Sequence, residues 1–481
     1  MKVRDRYAPS PTGALHPGNA RSALFNYLFA HREEGTFILR IEDTDRRRHD
    51  DGSLATIMEG LRWLGLEWDE GPERGGPHEP YFQSERLPLY QAAADRLVAT
   101  GDAYRCFCTP ERLEELRRSQ ERAHMPPGYD GRCRDLDPAV VAGRVAAGDR
   151  AVIRMRVPGG STAVVDLVRG TSEFANATLD DQVLVKSDGY PTYHLASVVD
   201  DHEMDITHVV RGDEWLPSAP KHVLLYGMLG WEPPVFVHLP LVLGPDRAKL
   251  SKRHGAVALL EYRDLGYLPE AMVNFLALLG WSPGTGDDFM TLPQLVQAFD
   301  IEKVQVSPAV FDAAKLDHLN GQHIRALPPE EFAARVRPWV PELREELLAA
   351  AAPLVQERMT RLTEAPGLLG FLVAAPDGGR DGIVPKKHDR AATIEVLRDA
   401  RAVFAGADPG PGLEPGLRDV ATRHDWKFGE VMMTLRIALT GSPVTPPLLE
   451  SAALLGQEEV LGRIDASVAA LEGAAGGKEA S

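Results

Sequence analysis

Two short stretches hold residues whose types and spacing could act on phosphate. The first runs Ser10-Pro11-Thr12-Gly13-Ala14-Leu15-His16-Pro17-Gly18-Asn19, immediately before a helical apolar pattern. A helix N-terminus carries unsatisfied N–H groups and the positive end of the helix dipole, so it attracts phosphate. Gly18 permits close backbone approach, His16 can donate to a phosphate as charge builds on it, and Asn19 is of the type that caps a helix. The second stretch is Lys249-Leu250-Ser251-Lys252-Arg253. Its lysines can neutralise a triphosphate and Ser251 can donate to it, while Gly244 and Gly255 flank it as the hinges of a lid would. Taken alone, each stretch also fits a solvated turn. Cys106 and Cys108, followed by Cys133, form a zinc arrangement that lacks one ligand, or else three reduced thiols without metal. Asp200, Asp201, His202 and His208 suggest a metal cluster at first, but read better as a polar strand end and turn. Arg46-Arg47-Arg48 is either a solvated face or a phosphate contact.

Stepping along the chain gives the elements that must position these groups. Residues 3–8 read as a strand, and Ser10–Gly13 as a turn in which Gly13 supplies the positive φ. From Ala20, residues Leu24, Phe25, Leu28 and Phe29 share a helix face, and Gly35 ends that helix. "TFILRIEDTD" is a buried strand ending in Glu42, Asp43 and Asp45. Strand, helix and strand imply a parallel sheet, whose ligands sit beyond the carboxyl ends of its strands. Arg6, His16 and Glu42 fall at that edge. Residues 53–66 and 85–100 read as helices. From about 103 the texture becomes that of an insertion, including "AVIRMRV" and "AVVDLVRG"; residues 191–215 return to buried-strand character. Helical periodicity dominates from about 255, with loops at 375–385 and 406–416 and a disordered end, "LEGAAGGKEAS".

With 481 residues the chain should form roughly three domains. Its 44% hydrophobic and 26% charged residues are ordinary globular composition. No apolar run is long enough to span a membrane, the first ten residues lack a secretion signal, and three cysteines suit a reducing compartment, so a cytoplasmic chain with no membrane partner is expected. A net charge of −17 argues only weakly against nucleic acid, because local clusters such as "DRRRH" and "DRAKLSKRH" decide binding.

Four blocks in order over residues 1 to about 320 resemble glutamyl-tRNA synthetases of the bacterial type, in the class I aminoacyl-tRNA synthetases. They are "APSPTGALHPGN", "FILRIEDTD", "YPTYHLASVVDDHEMDITHVVRGDEW" and "KLSKRHGAVALLEYRDLGYLPEAMVNFLALLGWS". The resemblance implies an α/β Rossmann-type catalytic domain (1–100 and 191–245) split by an α/β insertion (101–190) that receives the tRNA acceptor end. A connecting domain (246–322) and an all-α anticodon-binding region (323–481) would follow. It implies a monomer that joins L-glutamate to tRNA-Glu, taking ATP with Mg2+ and passing through glutamyl-adenylate, with tRNA bound before glutamate is activated. His16, Gly18, Asn19, Lys249, Ser251, Lys252 and Arg253 would serve catalysis. Arg6, Ala8, Ser10, Glu42, Tyr193, Ser197 and Arg211 would surround glutamate, and Glu214, Val242 and Lys252 would join His16 and Gly18 around ATP. Ser197 and Pro17 depart from the family, where Asn and an aliphatic residue are common. Some members hold zinc on the cysteines with a fourth ligand at the position of Asp135; Tyr129 is the other candidate. The rivals are a glutaminyl-tRNA synthetase, a paralogue that glutamylates a tRNA base, a small-molecule nucleotidyltransferase, and a non-catalytic tRNA-binding protein. The intact motifs and the long helical C-terminal third argue against them.

Overall fold

In the computed structural model the described residues are 2–45, 50–248, 250, 258–376 and 382–473. Lys249, Ser251, Lys252, Arg253 and the Arg46–Arg48 run lie outside them. The chain forms two compact units: residues 1–263 with 269–313, and residues 264–268 with 314–481.

The first unit is built on parallel strands. β1 (Arg4–Tyr7) pairs in parallel with β2 (Thr36–Leu39). Between them runs α1 (Pro17–Arg32), which packs on both strands and buries Leu24, Phe25, Leu28 and Phe29. Burying each of these side chains contributes roughly 1.5–3 kcal/mol. Glu34, with φ 50°, makes the left-handed step after α1. Gly35 follows it because a Cβ there would lie 2.2 Å from the Val3 carbonyl oxygen. Gly13, by contrast, has no positive φ, so the turn before the helix does not use it as expected.

α2 (Asp51–Trp63) and α3 (Leu87–Thr100) come next. The insertion opens with β3 (Ala103–Cys106), which forms an antiparallel sheet with β4 (Val152–Met155) and β7 (Val183–Val185). α4 (Pro110–Arg122) and α5 (Pro138–Ala146) lie between its first two strands. The hairpin of β5 (Ser161–Asp166) and β6 (Gly170–Ala175) does something else: β5 pairs in parallel with β9 (Val235–Leu239), extending the nucleotide-fold sheet. β9 in turn pairs with β8 (His208–Gly212), and the Thr207 N–H donates to the Arg4 carbonyl at 2.9 Å, joining this sheet to β1.

The stretch expected to be mainly strand is half helix. Tyr193–Glu203 forms α6, and only β8 is extended. The buried character that suggests a strand belongs to the inward face of a helix whose polar residues, Asp200 and Asp201, are themselves buried. α7 (Ala219–Met228) follows β8, and short β10 (Val242–Leu243) pairs with β11 (Ala309–Val310).

Among its described residues the second unit is helical. Helices at Arg390–Ala405, Glu414–Arg423, Phe428–Thr440, Leu448–Leu455 and Gln457–Gly473 enclose one core around Leu397, Phe404, Leu417, Leu435 and Ile464. The last of them runs to Gly473, so the start of "LEGAAGGKEAS" is helix rather than disordered.

Candidate active site

Helix α1 begins earlier than its apolar pattern suggests. Pro17 occupies its first turn, where the missing N–H costs nothing and φ is already helical. His16, not Asn19, is the N-cap: its Nδ1 accepts from the Gly18 N–H at 3.1 Å. A neutral ring that accepts at Nδ1 carries its proton on Nε2. The cap therefore makes His16 a donor through Nε2. Of the early N–H groups, Pro17 has none, Gly18's is taken by His16, and Ala20's goes to the His16 carbonyl. Asn19 is left to present the helix terminus, fewer donors than the sequence suggested.

Two cavities meet at this point. One, of about 300 Å3, is lined by His16, Gly18, Asn19, Glu214 and Val242, together with Arg21 and Leu250. The other, of about 290 Å3, is lined by Arg6, Ala8, Ser10, Glu42, Tyr193 and Arg211. Asn19, Ser22, Gly212 and Glu214 line both. A larger space of about 880 Å3 continues past Ser10, Glu42 and Tyr193 to Thr44 and Lys186. A Cβ on Gly18 would meet only His16 Nδ1, at 3.5 Å, so nothing described in the chain demands glycine there.

The second cavity sets two arginines, Arg6 and Arg211, among two acids, Glu42 and Glu214. Arg6 and Arg211 are 3% and 7% exposed. Arg6 is gripped by Asp201 of α6 at 2.8 and 3.2 Å. Burial pulls its pKa down, but the Asp201 carboxylate outweighs that and the net direction is up. Asp201 also accepts from Arg40 at 2.7 Å, and Arg40 reaches Glu42 at 3.3 Å. Burial pushes Glu42 up to about 7, with Arg40 and Arg6 pulling it back. Arg211 Nη1 donates to the Tyr193 hydroxyl at 3.1 Å, while its Nη2 is buried and has no partner among the described residues. A buried guanidinium nitrogen with no acceptor invites an anion.

Ser197 is not brought to the pocket wall. It is 1% exposed on α6 and its hydroxyl has no partner among the described residues. Asp200 and Asp201 form no metal cluster: Asp200 is held by Arg86, Tyr90 and Gln83 at 2.7–3.0 Å. Sequence reasoning missed Arg40, Trp215, which packs 4.2 Å from Tyr193, and the histidines behind Arg211. Arg40 did leave a signal, as one charge inside the apolar run "FILRI".

At the insertion, the sulfurs of Cys106, Cys108 and Cys133 lie within 4.8 Å of one another. Cys108 and Cys133 sulfurs are 3.6 Å apart, the spacing that two thiolates on one tetrahedral zinc would have. The Tyr129 hydroxyl stands 3.4 Å from Cys106 and 3.6 Å from Cys108. Asp135 is turned away: it is exposed and pairs with Arg156 at 2.8 Å, which corrects its assignment as a ligand.

A nucleotide-type sheet that sets a helix start beside an amino-acid-sized polar pocket suits a class I synthetase. Residues 2–318 match the family described as tRNA synthetases class I (E and Q), catalytic domain, and residues 331–468 match an anticodon binding domain. The chain belongs to this family. Over 98% of its length it is 46% identical to the glutamate–tRNA ligase of Dehalococcoides mccartyi, 98% of which is covered. It is 44% identical to that of Treponema denticola, over 98% of this chain and 99% of that one. Among solved structures, a glutamate tRNA ligase from Elizabethkingia meningosepticum in complex with its amino acid superposes with a TM-score of 0.90 at 35% identity, covering 98% of this chain and all of that one.

Proposed function

We propose that this chain is a glutamate–tRNA ligase. The observation that carries the reading is the pair of buried guanidiniums, Arg6 and Arg211, opposite Glu42, in a cavity that shares Asn19 and Glu214 with the cavity at the start of α1. Arg211 Nη2 would take the side-chain carboxylate of glutamate, with Arg6 beside it, and Glu42 would hold the α-ammonium. Ser10 and Tyr193 offer hydroxyls at the wall. ATP, with its Mg2+, would lie over His16, Gly18, Asn19, Glu214 and Val242.

The first step needs no general base, because the α-carboxylate of glutamate is already a nucleophile. Its oxygen attacks the α-phosphorus, the bond to the β-phosphate oxygen breaks, and pyrophosphate leaves with that electron pair. His16 Nε2–H and the Asn19 N–H would stabilise the charge that builds on the α-phosphate. Lys249, Ser251, Lys252 and Arg253 complete the proposed set by sequence. In the second step a terminal ribose hydroxyl of tRNA attacks the acyl carbon, the bond from that carbon to the phosphate oxygen breaks, the hydroxyl proton passes to the departing phosphate and AMP leaves; the space leading to Thr44 and Lys186 is where that ribose would arrive. Catalysis is then positioning and charge stabilisation. The residue ranges 1–100, 101–190, 191–245, 246–322 and 323–481 are retained as a proposed division of labour among catalytic halves, insertion, connection and anticodon end, in a cytoplasmic monomer.

The insertion fits a structural zinc. Cys106, Cys108 and Cys133 would hold it with the Tyr129 hydroxyl as fourth ligand, and the metal would supply cross-linking rather than chemistry.

ATP–pyrophosphate exchange tests the function. We expect exchange dependent on glutamate and on tRNA. No exchange under either condition rejects the enzyme, and exchange with glutamine but not glutamate moves it to the glutamine branch of the family.

A further inference from the structure

The guanidinium of Arg211 is held on every nitrogen but one. Nε donates to His238 Nε2 at 3.1 Å, and Nη1 lies 3.1 Å from both the Tyr193 hydroxyl and His222 Nδ1. Among the described residues only Nη2 is buried without a partner. A guanidinium has no acceptor, so each ring nitrogen facing it must present a lone pair. This fixes the chemistry behind it. His238 is neutral with its proton on Nδ1, and that N–H donates to Asp166 Oδ2 at 2.7 Å. The same oxygen accepts the backbone N–H of His238 at 2.9 Å. Asp166 Oδ1 caps the turn after β5 by accepting from Val168 and Arg169 at 2.9 and 2.8 Å. On the other side His222 must carry its proton on Nε2, which donates to His194 Nδ1 at 3.0 Å. Asp166 and His238 are 4% and 0% exposed, and burial pushes the pKa of His238 and of His222 down. The Phe236 ring lies 5.5 Å from the guanidinium carbon and limits its tilt.

We infer that Asp166 and His238 are positioning residues for recognition of the amino acid's side-chain carboxylate. Asp166 sets the His238 tautomer, and His238 with His222 fixes the plane and roll of Arg211, so that Nη2 alone remains to meet the anion. This rests on the reading of Arg211 as the carboxylate ligand. It also gives the β5–β6 hairpin a purpose: β5 pairs with β9 at Asp166 and so delivers the carboxylate to His238. A guanidinium free to turn would lose more against a carboxylate, which can accept at both oxygens, than against an amide, which accepts at one. The array therefore bears on the choice of glutamate over glutamine.

The test is ATP–pyrophosphate exchange by the full chain with tRNA present, at varied glutamate, glutamine and ATP. Four variants are compared: His238→Leu, His238→Gln, Asp166→Asn and Arg211→Ala. His238→Leu removes the acceptor of Arg211 Nε, and Asp166→Asn favours the wrong His238 tautomer. Each should raise the KM for glutamate about tenfold or more, the size of one hydrogen bond to a charged group. Each should also narrow the preference over glutamine and leave the KM for ATP unchanged. His238→Gln, whose Oε1 can accept from Arg211, should restore most of the loss. Thermal melts check folding, and if His238→Leu does not fold, the near-isosteric Asp166→Asn decides. Wild-type glutamate KM and preference in folded Asp166→Asn, with a raised KM in Arg211→Ala, overturns the inference alone. An unchanged glutamate KM in Arg211→Ala overturns the reading on which it rests.

Discussion

A carboxylate that holds an ammonium must be charged to do so, and Glu42 is buried deeply enough to keep its proton up to about 7. The kcat/KM for glutamate should therefore rise with pH through about 7. The limb should move to lower pH in kcat, because the bound ammonium favours the ionised form. A flat profile from 5.5 to 8 would contradict the role of Glu42. The same shift bears on stability. The folded chain holds this proton between the ordinary value of 4.5 and about 7, so the contribution is present at low pH and lost as pH rises through about 7. Asp201 serves a different need, since it neutralises both Arg6 and Arg40. Asp201→Ala would take the ion-pair partner from buried Arg6, while Arg40 keeps Glu42 and Asp200, and should cost about 3–5 kcal/mol in urea unfolding. A loss below about 1 kcal/mol would show that the pair is not held this way.

At the scale of elements, two glycines separate folding from function. Gly35→Ala drives a Cβ into the Val3 backbone, which cannot give way, and should lower the melting temperature measurably. Gly212→Ala instead meets the Glu214 carboxylate at 2.1 Å, the end of a flexible side chain. It should displace Glu214 and raise the KM for ATP severalfold with little change in melting. Equal melting losses in both would contradict this division. For the insertion, elemental analysis should find about one zinc per chain, lost in Cys133→Ala, weakened in Tyr129→Phe and unaffected in Asp135→Ala. Zinc retained in Cys133→Ala would remove this site.

What the sequence made legible follows from these elements. The strand–helix–strand start and the apolar face of α1 were readable because their periodicity is local. The cap was not: a histidine is a rare N-cap, and asparagine three residues on looked better until the Gly18 N–H was seen to point at Nδ1. α6 was misjudged because Asp200 and Asp201 are buried by distant partners, Arg86 and Arg6, which no local pattern reveals. The histidines behind Arg211 left no signal at all, since residues 166, 194, 222 and 238 come together only through the β5–β9 pairing and the packing of α6 with α7.

For the whole molecule, the chain matches a catalytic family and then an anticodon-binding one, one following the other along its length. A chain with both parts should complete both steps rather than stop at the adenylate. The direct measurement is ATP-dependent transfer of labelled glutamate to purified tRNA-Glu, with glutamine as the competitor. We expect an alkali-labile glutamyl ester on tRNA-Glu, no charging with labelled glutamine, and loss of the product in Arg211→Ala. Charging with glutamine in place of glutamate, or adenylate formation with no transfer to tRNA, would contradict this reading.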